Sequence, residues 1–147
     1  MAATVNFSIA TRARWGAEPP LSKVSLKHPV PYVRTIGVGY VDACTTEEEC
    51  VKQMKAIQKH DMYDGKQQDI QANFLIGDDG KVYEGRGWFS APPDYQVPKA
   101  FHGKYLLIGH IGGKSTVKPT EKFVEAKENL IKMGTKRRFI MDPHSVI

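Results

Sequence analysis

The sequence predicts an α/β fold in which a central mixed β-sheet is flanked by helices. Short apolar segments typical of strands alternate with two amphipathic helical segments, and one pair of strand segments is joined by a tight turn. The last strand segment is apolar almost throughout. The order strand, helix, hairpin, strand, helix is typical of a sheet that packs helices on its faces.

Three regions carry the strand signals. Residues 32–38 form a short segment that is rich in β-branched side chains, as is typical of strands. Residues 73–76 and 81–84 flank Asp79-Gly80, a pair that favours a hairpin turn. Residues 105–111 are nearly all apolar, so we expect this strand to be central and covered on both faces.

Two regions have helical periodicity. Cys50, Met54 and Ile57 follow the i, i+4, i+7 spacing of one helix face, and this helix should run to about Asp61. A second helix should begin at Pro119-Thr120, with a buried stripe formed by Phe123, Ala126, Leu130 and Met133. The Pro-rich stretch 90–104 is too long to be a simple connector.

Length and composition restrict the functional classes. A chain of 147 residues holds one core and is too short for two ordinary domains, so we treat residues 1–147 as a single domain. The hydrophobic fraction of 41% and charged fraction of 25% exclude disordered and collagen-like proteins. The net charge of +5 is modest, and only residues 136–138 form a basic run, so we predict no nucleic-acid partner.

Cys44 and Cys50 are the only cysteines. Their spacing fits neither a four-ligand zinc site nor a CxxC redox motif. Thr45-Thr46 and Glu48-Glu49 form a capping box, which places Cys50 in the first turn of the helix. We therefore favour a disulfide that pins the incoming loop and indicates an oxidising compartment. The alternative is a pair of reduced, buried thiols in a cytosolic protein.

The ends of the chain suggest an excised domain. Residues 1–4 lack the charged and apolar regions of a signal peptide. Residues 143–147 read like the middle of a structural element. We expect an ectodomain whose C-terminal end is shortened and whose anchor or targeting segment lies elsewhere.

Four motifs together resemble the peptidoglycan recognition protein family, which is similar in fold to phage lysozyme-type zinc amidases. The resemblance covers roughly Ile9 to Met133, in order and with near-family spacing. It implies a central mixed sheet flanked by helices and a groove that binds muropeptides. In amidase members, a zinc ion in the groove cleaves the bond between N-acetylmuramic acid and L-alanine. The motifs are Ala13-Arg14-Trp15-Gly16-Ala17, Cys44-Thr45-Thr46 with Cys50, Asn73-Phe74-Leu75-Ile76-Gly77 with Asp79-Gly80, and Val82-Tyr83-Glu84-Gly85-Arg86-Gly87-Trp88.

The catalytic positions of the family are not retained in this sequence. The run that holds the first zinc-binding histidine falls on Gly37-Val38-Gly39, or on Ile36-Gly37-Val38 after a slip of one residue. Ala72 stands where the family has the tyrosine that stabilises the transition state. His144 is the match for the late histidine ligand, and no cysteine follows it in the sequence. We predict no catalytic residues, no metal, no cofactor and no amidase activity.

Several groove positions that hold ligand in the family are also changed. Asp61 replaces a histidine, and Lys66-Gln67 falls on the pair that separates diaminopimelate-type from lysine-type peptidoglycan. Val97 and His102 fall on a loop histidine and on the asparagine that follows it. Because a ligand's polar atoms would be left unpaired, we expect muropeptide binding to be weak or absent. The Pro-rich loop should reshape or fill the groove wall.

The remaining candidates for ligand binding are Arg86, Trp88 and His102. Arg86 either faces the groove or forms a surface salt bridge. Trp15 and Trp88 are interpreted as core and hairpin packing rather than as sugar-stacking platforms. His110 lies on the predicted central strand, where an imidazole needs a partner.

These observations predict a non-catalytic recognition domain that is secreted or forms the ectodomain of a membrane protein. It would act in innate immunity as a receptor or regulator, through contacts with other immune-signalling proteins, including receptors of the same family. One alternative is a muropeptide receptor with a rearranged groove. A second is an active zinc amidase with an unexpected set of ligands.

Overall fold

A computed structural model describes residues 8–147, so the predicted absence of a signal peptide at residues 1–4 lies outside the described residues. In this described part of the chain, the sheet has five strands in the order β1-β4-β3-β5-β2. β3 and β4 form the antiparallel hairpin, and the other three strand pairs are parallel. The predicted mixed sheet is therefore confirmed. The strands are β1 (Ile9–Ala10), β2 (Tyr32–Val38), β3 (Phe74–Ile76), β4 (Val82–Glu84) and β5 (Tyr105–Ile111).

β5 occupies an interior position, as predicted from its continuous apolar sequence. It runs parallel to both neighbours, β3 and β2, and all seven of its residues are buried. His110 of β5 is paired in register with Gly37 on one side and Ile76 on the other. A polar side chain at this point must find its partners inside the fold.

Within residues 8–147, three α-helices flank the sheet: α1 (Arg12–Trp15), α2 (Glu47–Lys59) and α3 (Glu121–Lys136). The two longer helices begin at threonine N-caps, because the side-chain oxygens of Thr46 and Thr120 accept hydrogen bonds from first-turn amides. α2 ends at Lys59, close to the predicted end at about Asp61. The chain continues into a π-helical turn over His60–Asp64.

Each face of the sheet has its own hydrophobic core. On the α2 face, Met54 and Ile57 pack with Leu75 and Leu107. On the α3 face the core contains Phe74, Ile76, Leu106, Ile108, Phe123, Ala126 and Leu130. Because successive side chains of β5 point to opposite faces of the sheet, this strand contributes residues to both cores.

The disulfide between Cys44 and Cys50 is present, and both residues are fully buried. It joins the loop after β2 to the first turn of α2, as the capping-box argument predicts. Gly77, at the end of β3, packs directly against this bridge, where a Cβ would collide with the sulfur of Cys50. The bridge therefore also fixes the position of the hairpin.

A candidate ligand-binding groove

A groove of about 400 Å³ lies on the α2 face, beside the end of β2. Its apolar part is formed by Ile57 of α2, Ala72 and Leu75. Residues 36–38 at the end of β2 form one wall. The polar side chains that line it come from four separate segments and are Tyr40, Asp61, Gln71, Tyr95 and Gln96.

Asp61 is a buried carboxylate at the edge of this groove, with 2% of its surface exposed. Its Oδ1 atom accepts hydrogen bonds from the Tyr40 hydroxyl at 2.7 Å and from Gln71 Nε2 at 3.0 Å. Its Oδ2 atom accepts from the Gln71 amide at 2.9 Å. Partial burial of the Tyr40 hydroxyl, together with the charge of Asp61, raises the pKa of Tyr40 well above its ordinary value. The carboxylate is therefore satisfied by donors of the protein itself.

Gln71 extends these contacts to the Pro-rich loop. Its Oε1 atom accepts hydrogen bonds from the Tyr95 hydroxyl and from Gln96 Nε2, the latter at 2.9 Å. A continuous set of hydrogen bonds thus joins the loop after β2 to the Pro-rich loop. We call these five side chains, Tyr40, Asp61, Gln71, Tyr95 and Gln96, the groove network. Most of their polar groups are directed at one another.

The Pro-rich loop forms one wall of the groove. Tyr95 and Gln96 lie on a short 3-10 turn, Asp94–Gln96. Val97 is buried in the core of the α2 face, which anchors the loop. The Tyr105 hydroxyl donates to the carbonyl of Pro93 at 2.6 Å, and burial raises the pKa of Tyr105 to about 12. These contacts hold Tyr95 over the groove.

Comparison with known proteins identifies the family. The family described as N-acetylmuramoyl-L-alanine amidase matches residues 33–147. Peptidoglycan recognition protein 1 of Rattus norvegicus is 32% identical over 138 residues, which cover 94% of this chain and 74% of the rat protein. The chain belongs to the peptidoglycan recognition protein family.

Two solved structures of the family superpose well on this recognition domain. One is the ectodomain of the Drosophila transmembrane receptor PGRP-LCa, with a TM-score of 0.85, 30% identity, and coverage of 90% of this chain and 79% of that chain. The other is the complex of the PGRP-LCa and PGRP-LCx ectodomains bound to tracheal cytotoxin, with a TM-score of 0.85, 27% identity, and coverage of 94% and 81%. Both confirm the predicted fold. Among the helices of residues 8–147, none combines the length and apolarity needed to cross a bilayer.

The positions that correspond to the family's first zinc-binding histidine and to its tyrosine lie together in the groove. Ile36, Gly37 and Val38 line it where the first zinc-binding histidine is expected, and Ala72 lines it where the tyrosine is expected. None of these four residues has a side-chain atom that ligates zinc or donates a hydrogen bond. Within the described part of the chain, no three His, Cys, Asp or Glu side chains are grouped so as to hold a metal ion. The residues present therefore do not fit the zinc ion of the amidase members.

Two alternatives were predicted for Arg86, a position facing the groove and a surface salt bridge, and its hydrogen bonds correspond to neither. Its Nε donates to the carbonyl of Ile70 at 2.8 Å, and its Nη1 donates to the carbonyl of Ala91 at 2.9 Å. Burial lowers the pKa of the Arg86 guanidinium, while the charges of Asp69 and Asp61 oppose that shift. Arg86 thus connects two loops and is not one of the residues that line the groove.

Trp88 and His102 also lie away from the groove lining. The Trp88 ring packs on Phe74 at a centroid distance of 4.6 Å, on the α3 face, which agrees with the packing interpretation. His102 is exposed, with Nε2 3.1 Å from the carbonyl of Val97. Lys66, another position expected to contact ligand, is exposed in a turn with a φ of 56°.

His110 has the partner that its buried position requires. Its Nε2 lies 2.8 Å from Asp78 Oδ1, and the Thr120 hydroxyl donates to the same oxygen at 2.7 Å. The imidazole stacks on Phe123 with a centroid distance of 3.9 Å. This cluster connects β5 to the start of α3 and lies on the other side of the sheet from the groove network.

Proposed function

We propose that this recognition domain is non-catalytic and acts in innate immunity as a receptor or regulator. The observation that carries the proposal is the identity of the groove residues at the catalytic positions, Ile36–Val38 and Ala72. Amidase members need imidazole or thiolate ligands to hold zinc, and the metal must activate a water molecule for attack. No side chain at these positions supplies either function.

We further propose that standard muropeptide binding is weak or absent. In the groove network, the carboxylate of Asp61 accepts three hydrogen bonds from the protein and the carboxamide oxygen of Gln71 accepts two. A sugar or peptide ligand would have to break these contacts before making its own. An exchange of hydrogen bonds of this kind yields little net free energy, and polar ligand atoms left unpaired cost affinity.

Protein–protein contacts are the proposed route of action. The PGRP-LCa and PGRP-LCx ectodomains form a complex, so a domain of this family is able to associate with another. The proposed partners are other immune-signalling proteins, including receptors of the same family. The Cys44–Cys50 disulfide supports a location outside the cell, where such bonds persist.

One observation favours a second candidate function. The groove still has a volume of about 400 Å³ and is lined by five polar side chains. A muropeptide receptor that uses these side chains in a rearranged mode is the alternative.

Two measurements on the purified chain separate these functions. After dialysis against excess zinc, we expect no stoichiometric metal by elemental analysis and no stem peptides released from peptidoglycan, with an active amidase of the family as positive control. Stoichiometric zinc together with released peptides would overturn the proposal. Titration calorimetry with diaminopimelate-type and lysine-type muropeptides should give no binding heat. Saturable heat in the micromolar range would establish the alternative.

A further inference from the structure

Among the large apolar side chains exposed on the α3 side of the domain are Val24, Phe89 and Met141. Val24, Phe89 and Met141 have 70%, 65% and 59% of their surfaces exposed. Leu26 N donates to the Phe89 carbonyl at 2.9 Å, and Ala91 N donates to the Val24 carbonyl at 2.7 Å, so these two segments run side by side. We call Val24, Phe89 and Met141 the apolar patch.

Aromatic packing holds the apolar patch in place. The His28 ring contacts Phe89 and Phe139 at centroid distances of 4.9 and 4.8 Å. The His28 Nε2 atom lies 2.6 Å from the Trp88 carbonyl. Main-chain hydrogen bonds fix the position of Met141. Val30 N donates to the Phe139 carbonyl, and Met141 N donates to the Val30 carbonyl. The exposed side chains therefore project from an ordered base.

Basic residues outnumber acidic ones around the apolar patch. The segments that form it, residues 18–35, 84–94 and 128–142, contain eight Lys or Arg and five Asp or Glu, one of which, Asp142, is exposed next to Met141. Their net charge of +3 exceeds the net charge of the rest of the chain, where 13 basic and 11 acidic residues remain. Their exposed cations close to the patch in sequence are Lys23, Lys27, Lys136, Arg137 and Arg138.

We propose that the apolar patch and its flanking cations dock on an anionic membrane surface. Apolar side chains that project from a folded surface gain free energy by entering the headgroup region, and nearby Lys and Arg are attracted to acidic lipids. Three of the five cations are lysines, which are depleted in protein–protein interfaces, and this favours lipid over an acidic protein. Docking in this way places the groove on the side of the sheet away from the bilayer. Such docking would occur whether or not the groove binds muropeptide.

Vesicle co-sedimentation of the full chain tests this inference. Vesicles of phosphatidylcholine with about 30% phosphatidylserine should bind the chain, and vesicles of phosphatidylcholine alone should not. The triple variant Lys136→Gln/Arg137→Gln/Arg138→Gln should bind about 100-fold more weakly. The matched control is Lys52→Gln/Lys55→Gln/Lys59→Gln, which removes the same charge from exposed positions of α2 and should change binding less than about threefold.

A second pair of variants tests the apolar contribution. Phe89→Ser should weaken vesicle binding about tenfold. The control Val117→Ser, which changes a side chain outside the apolar patch that is 63% exposed, should not weaken it. Thermal unfolding of each variant establishes that it is folded. Equal binding to neutral and anionic vesicles would overturn the inference, as would equal losses in the two triple variants. Binding to polyglutamate without binding to vesicles would instead assign the surface to an acidic protein.

Discussion

The Tyr40 hydroxyl donates a 2.7 Å hydrogen bond to Oδ1 of Asp61, joining the loop after β2 to the end of α2. Asp61 also receives two hydrogen bonds from Gln71, which in turn accepts from the Pro-rich loop. The groove is thus lined by polar side chains that bind one another. This arrangement underlies the first prediction.

Replacement of Asp61 by alanine should destabilise the domain by about 2 kcal/mol or more, because the donors on Tyr40 and Gln71 lose a charged acceptor in a buried setting. Urea unfolding measures the change. The matched control is Asp64→Ala, at an exposed position of the same turn, which should alter the free energy of unfolding by less than about 0.5 kcal/mol. Equal effects of the two variants would show that Asp61 is not a stabilising centre.

Removal of the disulfide should also lower stability. The bridge spans six positions in sequence, so the variant Cys44→Ala/Cys50→Ala should lose about 2 kcal/mol, less than for a longer loop. Differential scanning calorimetry of the variant beside the oxidised wild type measures this loss. An unchanged unfolding temperature would mean that the bridge does not constrain the unfolded chain.

Alkaline pH should unfold the domain through its buried tyrosines. The pKa of Tyr105 is raised from about 10 to about 12 on folding, which means that the folded state holds this proton more tightly. The corresponding stability is fully present below about pH 10 and is lost as the pH rises from about 10 to about 12. Urea midpoints measured across this window should fall less steeply in Tyr105→Phe than in wild type. Tyr63→Phe, at an exposed position, should leave the slope unchanged.

The sequence predicts those parts of the fold that depend on local patterns. β2 and β5 follow the predicted residues 32–38 and 105–111, because β-branched composition and continuous apolarity are visible within a short window. β1 and α1, with two and four residues, are too short to show a period. They are held by distant contacts, such as the 2.8 Å hydrogen bond from Trp15 Nε1 to the Glu84 carbonyl.

The candidate site was predictable only in part. Motif register indicates residues 36–39, in two alternative registers, and Ala72; the structure brings residues 36–38 and Ala72 into one groove. Tyr40 and Tyr95 were not predicted, because the groove network joins segments that are distant in sequence and no spacing rule connects them. Neither alternative for Arg86 includes its observed hydrogen bonds, for a related reason. Its partners are main-chain carbonyls, which no residue type reveals.

The most direct test of the central claim is an amide NMR titration of the labelled chain with muramyl peptides of the diaminopimelate and lysine types. We predict that the amide signals of Gln71, Tyr95 and Gln96 do not shift as either ligand is added, because their side chains are already bonded to each other. Saturable shifts confined to these residues and to residues 36–38 would show that the groove holds muropeptide and would contradict the account.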